Sequence, residues 1–563
     1  MKQSDFHVQG PQISQFNNIA PMAMPRSTFI RSFTRRTTFN SDFLVPIMVD
    51  EILPGDDLNI RMTAFTRMST PIKPLMDNLY METFWFFVPN RILWANWQKF
   101  QGQQAAPGDS TTFSIPVLDS GAAPLSTTGF DNQSVFDYFG LPTRVTGLGN
   151  ISALFNRAYD LIWNEWFRDE NLQSSVTVKT DDGPDAPSLY MLRKRNKRKD
   201  YLTSALPWPQ KGTQVTIGLA GTAQIVGNGN NVNANIPISR AGSAGFWTAY
   251  KSNTNTLAGP TSAINIGGSG DLGSASPSQN ISLDPNGGLI ANLTLSGGAI
   301  AGTILTDLST ASGVSINALR QAALYQQILE LDARGGTRYV ESLYTRFGVV
   351  SPDFRLQRPE LLGQGSTRIN VYAVPQTAPT TATTTPQGNL AAFGTSIING
   401  DHGCRYSATE HGILMALANV RADLTYQQKL PKMFTRRTRL DFYEPLLNGL
   451  GEQAVLNKEI FAQGLPADDN VFGYQERFAE YRYKDSEITG KFRSNDPQPL
   501  DVWHLSQSFG ALPSLNSSFI TEAVPMARVL AVNTEPAFLS DMFFDYKHTR
   551  VMPMRSNPGI TRL

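Results

Sequence analysis

Residues His411 to Tyr426 read HGILMALANVRADLTY, and the fold turns on how this stretch is read. Ile413 to Ala418 is a continuous apolar run, and from Asn419 to Tyr426 polar and apolar side chains alternate. A strand covered on both faces gives the run, and one covered on a single face gives the alternation. Working outward, Thr367 to Val374 (TRINVYAV) lies upstream, with Arg528 to Val532 and Phe543 to Met552 downstream. Three further strand candidates lie near the start of the chain. Phe39 to Ile52 ends at the turn Pro54-Gly55-Asp56, Leu58 to Met68 alternates imperfectly, and the aromatic Leu79 to Val88 stops at Pro89. Early and late strands must therefore pair across more than two hundred residues, which is the habit of a closed β-sandwich whose loops have grown outward.

Composition agrees with a β-rich, loop-rich chain. Of 563 residues 17% are charged and 41% hydrophobic, with 35 Pro and 45 Gly. That apolar content is enough for a substantial core. Between the strands, Asn150 is expected to cap a helix carrying Ile151, Leu154, Phe155, Ala158, Ile162 and Trp166. Ser315 is expected to cap a second, with Ile316, Leu319, Ala323, Ile328 and Leu331, ending before Gly335-Gly336. Residues 1 to 37 form a Pro/Arg/Phe-rich arm, read as extended and weakly structured.

Residues 212 to 311 differ from everything around them. They hold five charged side chains, Arg240, Lys251, Asp271, Asp284 and Asp307, and their aromatics fall together at Phe246, Trp247 and Tyr250. Gly, Ser, Thr, Asn and Ala dominate, and ISLDPNGGLIANLTL (281–295) reads as a hairpin turning at Asp284-Pro285-Asn286-Gly287. A module with so few titratable groups presents a surface rather than acid–base or metal chemistry.

The rest of the chain offers little chemistry either. It lacks a G-x-S-x-G elbow, a Walker loop and an H-E-x-x-H pair. Gly147-Leu148-Gly149 lacks the third glycine of a phosphate fingerprint and reads as a loop leading into the helix cap. Cys404, the one cysteine, reads as a buried thiol, and His402 and His411 as polar loop histidines. Asp181-Asp182-Gly183-Pro184-Asp185 reads as an acidic turn without EF-hand spacing. Catalytic residues, metal ligands and cofactors are not expected. The start MKQSDFHVQG has no apolar run after its lysine, and no run of eighteen apolar residues occurs, so neither a secretory signal nor membrane insertion is expected. The prolines of Leu206-Pro207-Trp208-Pro209 are candidates for a cis peptide bond.

Basic clusters are the constellation that stands out. Arg193-Lys194-Arg195-Asn196-Lys197-Arg198-Lys199 puts six cations in seven residues, and Arg436-Arg437-Thr438-Arg439 adds a second group. In the arm, Arg26, Arg31, Arg35 and Arg36 interleave with Phe29, Phe33 and Phe39. Cations track phosphates and aromatic faces stack on unpaired bases. The competing readings are a solvated loop, or arginines paired with carboxylates of a neighbouring subunit.

Several longer phrases occur in a telling order: WNEWFRDENLQ (163–173), DYLTSALPWPQKG (200–212), ELDARGGTRYVESL (330–343) and SPDFRLQRPELLGQGS (351–366). HGILMALANVRADLTYQQ (411–428) and VFGYQERFAEYRYKDSEITGKFR (471–493) follow. Together they closely resemble the major capsid protein of the Microviridae, in its gokushovirus branch. The resemblance implies a mainly β fold, an eight-stranded antiparallel viral jelly roll with long inter-strand insertions containing a few helices. It also implies sixty copies in a T=1 icosahedral shell around circular single-stranded DNA, assembled in the host bacterial cytoplasm. A small basic DNA-packaging protein and a host-cell surface receptor are the implied partners.

On that reading the arm is 1–37, the first jelly-roll strands 38–92, and an insertion with a helix and the basic cluster 93–211. The low-charge insertion 212–311 becomes a protrusion at a threefold axis, with Phe246, Trp247 and Tyr250 as candidate receptor contacts. Residues 312–365 are a helical insertion and loops, and 366–563 hold the remaining strands and a C-terminal arm. The arm arginines and Arg193, Lys194, Arg195, Lys197, Arg198 and Lys199 are candidate DNA contacts. A net charge of +1 per copy is far too small to neutralise a packaged genome, which suits a separate basic protein. The alternative is an adhesive or receptor-binding β-structured module with no shell-forming role. A glycan-cleaving enzyme needs a spaced carboxylate pair, and none is marked in the sequence.

Overall fold

In a computed structural model, which describes residues 25–213, 215–216, 224–226, 238–239, 246–247, 305–307, 316–381 and 386–555, the strands run as follows. β1 (Ser27–Ile30), β2 (Phe33–Phe39), β3 (Val45–Ile52), β4 (Asp57–Met68) and β5 (Leu79–Pro89) come first. Four short strands follow far downstream: β6 (Gln224–Val226), β7 (Ile238–Ser239), β8 (Phe246–Trp247) and β9 (Leu305–Asp307). Then come β10 (Glu360–Pro375), β11 (Leu390–Ser407), β12 (Gly412–Ala422), β13 (Glu452–Leu456), β14 (Val471–Glu476) and β15 (Phe538–Arg550). The chain divides into one unit of residues 1–213 with 327–563 and a second of 214–326.

The main sheet has the order β1-β15-β4-β11-β10-β5-β12-β3, with β2 also on β15, and every pairing in it is antiparallel. It curls on itself because β10 serves two neighbours: Glu360–Ile369 pair with β5 and Asn370–Pro375 with β11. One half therefore reads β2-β15-β4-β11 and the other β3-β12-β5-β10. Counting the long strands in chain order from β2 to β15, the halves read 1-8-3-6 and 2-7-4-5, the strand order of a viral jelly roll. The fold expected from the resemblance is the fold observed.

Periodicity explains which half is which. β4 alternates without a fault: Leu58, Ile60, Met62, Ala64, Thr66 and Met68 point in, and Arg61, Thr63, Phe65 and Arg67 point out. β12 is buried at every position. Its Leu414, Ala416, Ala418 and Val420 join Trp85 and Phe87 of β5 in the core between the two halves. Its Ile413, Met415 and Leu417 join Phe84, Phe86 and Val88 under a second core supplied by residues 93–190, among them Trp94, Phe130, Phe136, Tyr159 and Trp163. The outer face of this half is thus roofed by the insertion. A third cluster around Tyr201, Tyr426, Phe472 and Phe519 closes the far loops. Each fully buried Phe or Leu contributes about 1.5–3 kcal/mol relative to exposure, so the roof stabilises the unit as a second core would.

Several expectations need correcting. Asn150 does not cap a helix; it sits at φ 58°, and the helix runs Leu154–Ile162, continuing as a π-helical turn over Trp163–Phe167. Arg528 to Val532 is not a strand but follows a tight turn at Met526–Arg528, and Arg528 gives its guanidinium to the carbonyls of His504 and Ser506. The described part of the arm is more ordered than expected: β1 and β2 pair along β15, whose open edge supplies hydrogen bonds that the polar sequence FTRRTTF does not announce. β11, the longest strand, had no apolar signal because its inward positions include Ala392, Gly394 and Ser396. His402 is not a loop residue but a buried member of β11. The helix Ile316–Arg334 ends before Gly335-Gly336 as expected, while its proposed cap Ser315 lies outside the described residues. So does the hairpin expected at 281–295. Cis peptide bonds occur at Ala123-Pro124 and Gly183-Pro184 rather than in residues 206–209. Within 214–326, β6 pairs with β9 and β7 with β8.

Candidate functional site

The basic segment 193–199 is an extended strap laced between two neighbours. Its backbone bonds to residues 42–44 on one side (Leu44 N to Arg193 O, 2.9 Å; Arg195 N to Asp42 O, 2.8 Å). On the other side it bonds to 520–522 (Lys197 N to Ile520 O, 2.8 Å; Glu522 N to Arg195 O, 2.9 Å). Pairing on both edges fixes the register, so the side chains have assigned places.

Each of the six cations has a partner within the chain. Arg193 forks onto Asp160 (2.9 and 3.2 Å). Lys194 lies over the Phe43 ring with Asp42 at 3.9 Å. Arg195 donates to Glu82 and stacks 4.8 Å from the Phe84 ring. Lys197 is buried, donates to Gln507 Oε1 at 2.8 Å and sits 4.5 Å over Phe519. Arg198 reaches Glu82 (3.5 Å) and Asp423 (3.6 Å), and Lys199 donates to Asp169.

Glu82 is the hub, with Arg421 as a third guanidinium at 3.4 Å. Burial raises its pKa, but Arg195 and Arg421 outweigh that and hold it below the usual range. Beside it, Glu522 is pushed up to about 7 by burial and by Asp42, against the pull of Arg421, Arg195 and Lys197. Burial lowers Lys197 to about 8, with Glu522 and Asp200 opposing. What the arrangement does chemically is hold three cores together.

The arm arginines divide. Arg31 forks onto Asp50 (2.6 and 3.1 Å) over the Tyr546 ring, and Arg35 donates to the carbonyls of Ile47 and Tyr138. Arg26 donates to Gly55 O at 2.6 Å from an exposed position. Arg36 is the freest, its side chain 82% exposed with Asp541 at 3.7 Å. In the second cluster, Arg436 pairs with Glu480 (3.2 Å) and stacks on Tyr481 (4.1 Å).

The remaining candidates are structural. His402 bridges Thr83 Oγ1 and Thr367 Oγ1, both at 2.9 Å, and its ring occupies the space a Cβ at Gly365 would need, which accounts for one glycine of the GQGS phrase. The Cys404 thiol is buried and pushed up to about 12 by burial. His411 packs its ring against Trp97. Asp185 of the acidic turn is fully buried and takes both arms of the Arg157 guanidinium (2.8 and 2.9 Å) and the Tyr190 hydroxyl. Burial raises Asp185, but those bonds bring it below the usual range. Among the described residues no group of His, Cys, Asp and Glu is placed to hold a metal ion. No helix among them is long and apolar enough to cross a membrane. Phe246 and Trp247 lie on β8, and Tyr250 lies outside the described residues.

Sequence reasoning missed the exposed apolar loops. Phe434, Phe442, Leu446 and Leu450 project from short turns between Lys432 and Leu450, with Leu446 91% exposed. Tyr339, Tyr344 and Phe347 project from the helix Tyr339–Phe347. The phrase KMFTRRTRLDFYEPLLNGL has this apolar content but follows neither strand nor helix period. Exposed apolar side chains of this kind are what a subunit contact would bury.

A jelly roll with its loops left apolar and its buried charges spent on packing defines a structural shell subunit. A family model described as "Capsid protein (F protein)" matches residues 17–560. "Capsid protein VP1" of Bdellovibrio phage phiMH2K is 45% identical over 540 residues, covering 95% of this chain and 96% of its own. The proteins of the same description from Chlamydia phage 1 (39% over 596 residues) and Spiroplasma virus 4 (34% over 568 residues) each span 98% of both chains. The chain belongs to this capsid protein family: it is a major capsid protein of the Microviridae, of the gokushovirus kind, a component of the virion and not an enzyme.

Proposed function

We propose that sixty copies of this chain assemble, in the host bacterial cytoplasm, into a T=1 icosahedral shell around circular single-stranded DNA. The observation that carries the reading is the set of exposed apolar side chains on the insertions, Phe347, Phe434 and Leu446 among them, because a subunit that buries them against copies of itself gains what it lacks alone. The near-neutral chain and the internally neutralised strap support a small basic packaging protein as a separate partner. Of the candidate DNA contacts, Arg26 and Arg36 keep exposed guanidinium groups suited to phosphate, and Arg193, Arg195 and Lys197 serve the fold. The low-charge insertion 212–311 is the threefold protrusion, with Phe246, Trp247 and Tyr250 as candidate contacts for a host-cell receptor.

Negative-stain imaging of particles from expressing cells tests the shell, with the viral partner proteins supplied. Uniform icosahedral particles are expected; a soluble monomer with no particles under those conditions contradicts it. Replacing 214–311 by a short loop tests the attachment role: assembly should survive and host adsorption should be lost, whereas unchanged adsorption removes the receptor role.

A further inference from the structure

Among the described residues one sheet face is left open. The outer face of β3-β12-β5 is roofed by the insertion, but the outer face of β2-β15-β4-β11, continuing onto the end of β10, is not. Alternation puts Arg61, Phe65 and Arg67 of β4 on it, beside Phe543 and Lys547 of β15 and Arg36 of β2. Arg405 of β11 extends it, and Tyr372 and Phe393 pair across β10 and β11 with rings stacked at 5.3 Å. Phe65, Phe543 and Tyr372 are 49%, 43% and 49% exposed.

The charges on this face contrast with those of the strap. Arg61, Arg67, Arg405 and Lys547 form no ion pair among the described residues, although Asp545 stands across the β15–β4 pairing from Arg61 and Asp541 across from Phe65. The outward acids of the sheet are Asp541 and Asp545, with Asp57 and Asp401 at its margins. Two copies of this face meeting each other would set arginine against arginine. Cations interleaved with exposed rings instead match a chain of phosphates bearing unpaired bases. A groove of about 540 Å³ opens beside it, with Arg35, Arg36, Arg67 and Phe65 in its walls together with the carboxylates Asp137 and Asp541.

We propose that this open sheet face is the surface that holds the packaged single-stranded DNA, Phe65 and the Tyr372–Phe393 pair stacking bases while Arg61, Arg67 and their neighbours track the backbone. The proposal rests on the shell reading and adds an orientation: this face turns inward and the roofed face outward.

The test uses the full-length chain. Arg61→Gln/Arg67→Gln subunits released from particles should bind oligo(dT) with a salt dependence shallower by about 1.4 in log K against log[salt], roughly 0.7 for each lost phosphate contact. Phe65→Ala should weaken that binding about tenfold through lost stacking. Both variants should still assemble, and the arginine variant should release its DNA at lower salt. Unchanged affinity and salt slope overturn the proposal. So does a variant that folds with the wild-type circular dichroism but forms no particles, because that makes the face a subunit interface. Ultraviolet cross-linking of wild-type particles is the second readout: DNA attached to peptides containing Phe65, Phe543, Tyr372 or Phe393 is expected, and cross-links confined to other peptides overturn it. Failure of wild-type chains to form particles bears on the shell reading alone.

Discussion

Glu522 is the residue whose environment makes the sharpest prediction. It is 1% exposed, one of its carboxylate oxygens has no hydrogen-bond partner, and its pKa is pushed from 4.5 up to about 7. A carboxyl raised in the folded state binds a proton more tightly there than in the unfolded chain, so its contribution is favourable at low pH. That contribution is lost as pH rises from about 4.5 through about 7. Glu522→Gln removes the titration, so its unfolding free energy should gain on the wild type over that interval, by roughly 3 kcal/mol at its end. Denaturant titrations of both proteins at pH 5 and pH 8 check this; a difference that does not change with pH would show that Glu522 is not buried as a charge. None of this was legible in the sequence. Glu522 lies in a bland stretch, and its pKa is raised by burial and by Asp42, which is distant in the chain, against the pull of Arg421 and Arg195. The same holds for Arg157 and Asp185, where a buried ion pair hid inside what read as an acidic turn.

At the scale of elements, period and composition worked where one face is buried against large side chains. β4, β5, β12 and most of β15 were legible, because Leu, Met, Phe and Trp recur at the spacing of a pleat. β11 was not, because small residues fill its buried face, and β2 was not, because its order comes from the edge of β15. The basic segment was conspicuous in sequence, yet its geometry is that of a strap.

Removing Arg195 should therefore destabilise the fold. Arg195→Ala removes the nearest of the three guanidinium partners of Glu82, together with its stacking on Phe84, at a cost of about 1.5–3 kcal/mol. Buried pairs are poorly screened, so the loss should be nearly the same in low and high salt. Thermal unfolding of the variant in both conditions measures it. A stability like that of the wild type, with a salt-dependent defect in DNA retention, would return the segment to the role of a nucleic-acid contact.

For the whole molecule, the resemblance carried what physics alone left open. Strand pairing across more than two hundred residues suggested a closed sandwich, and ordered motifs identified which one. On the proposed reading, assembly draws on loops such as 432–450, whose apolar side chains have no period to betray them. We propose an oriented shell subunit, with the roofed sheet face outward and the open Arg/Phe sheet face inward on DNA. A density map of the assembled particle at side-chain detail tests it most directly. The account predicts Arg61, Phe65 and Arg67 on the inner surface against nucleotide density, with Phe434 and Leu446 buried between copies. A map with Arg61, Phe65 and Arg67 on the outer surface, or sealed between subunits away from nucleic acid, would contradict it.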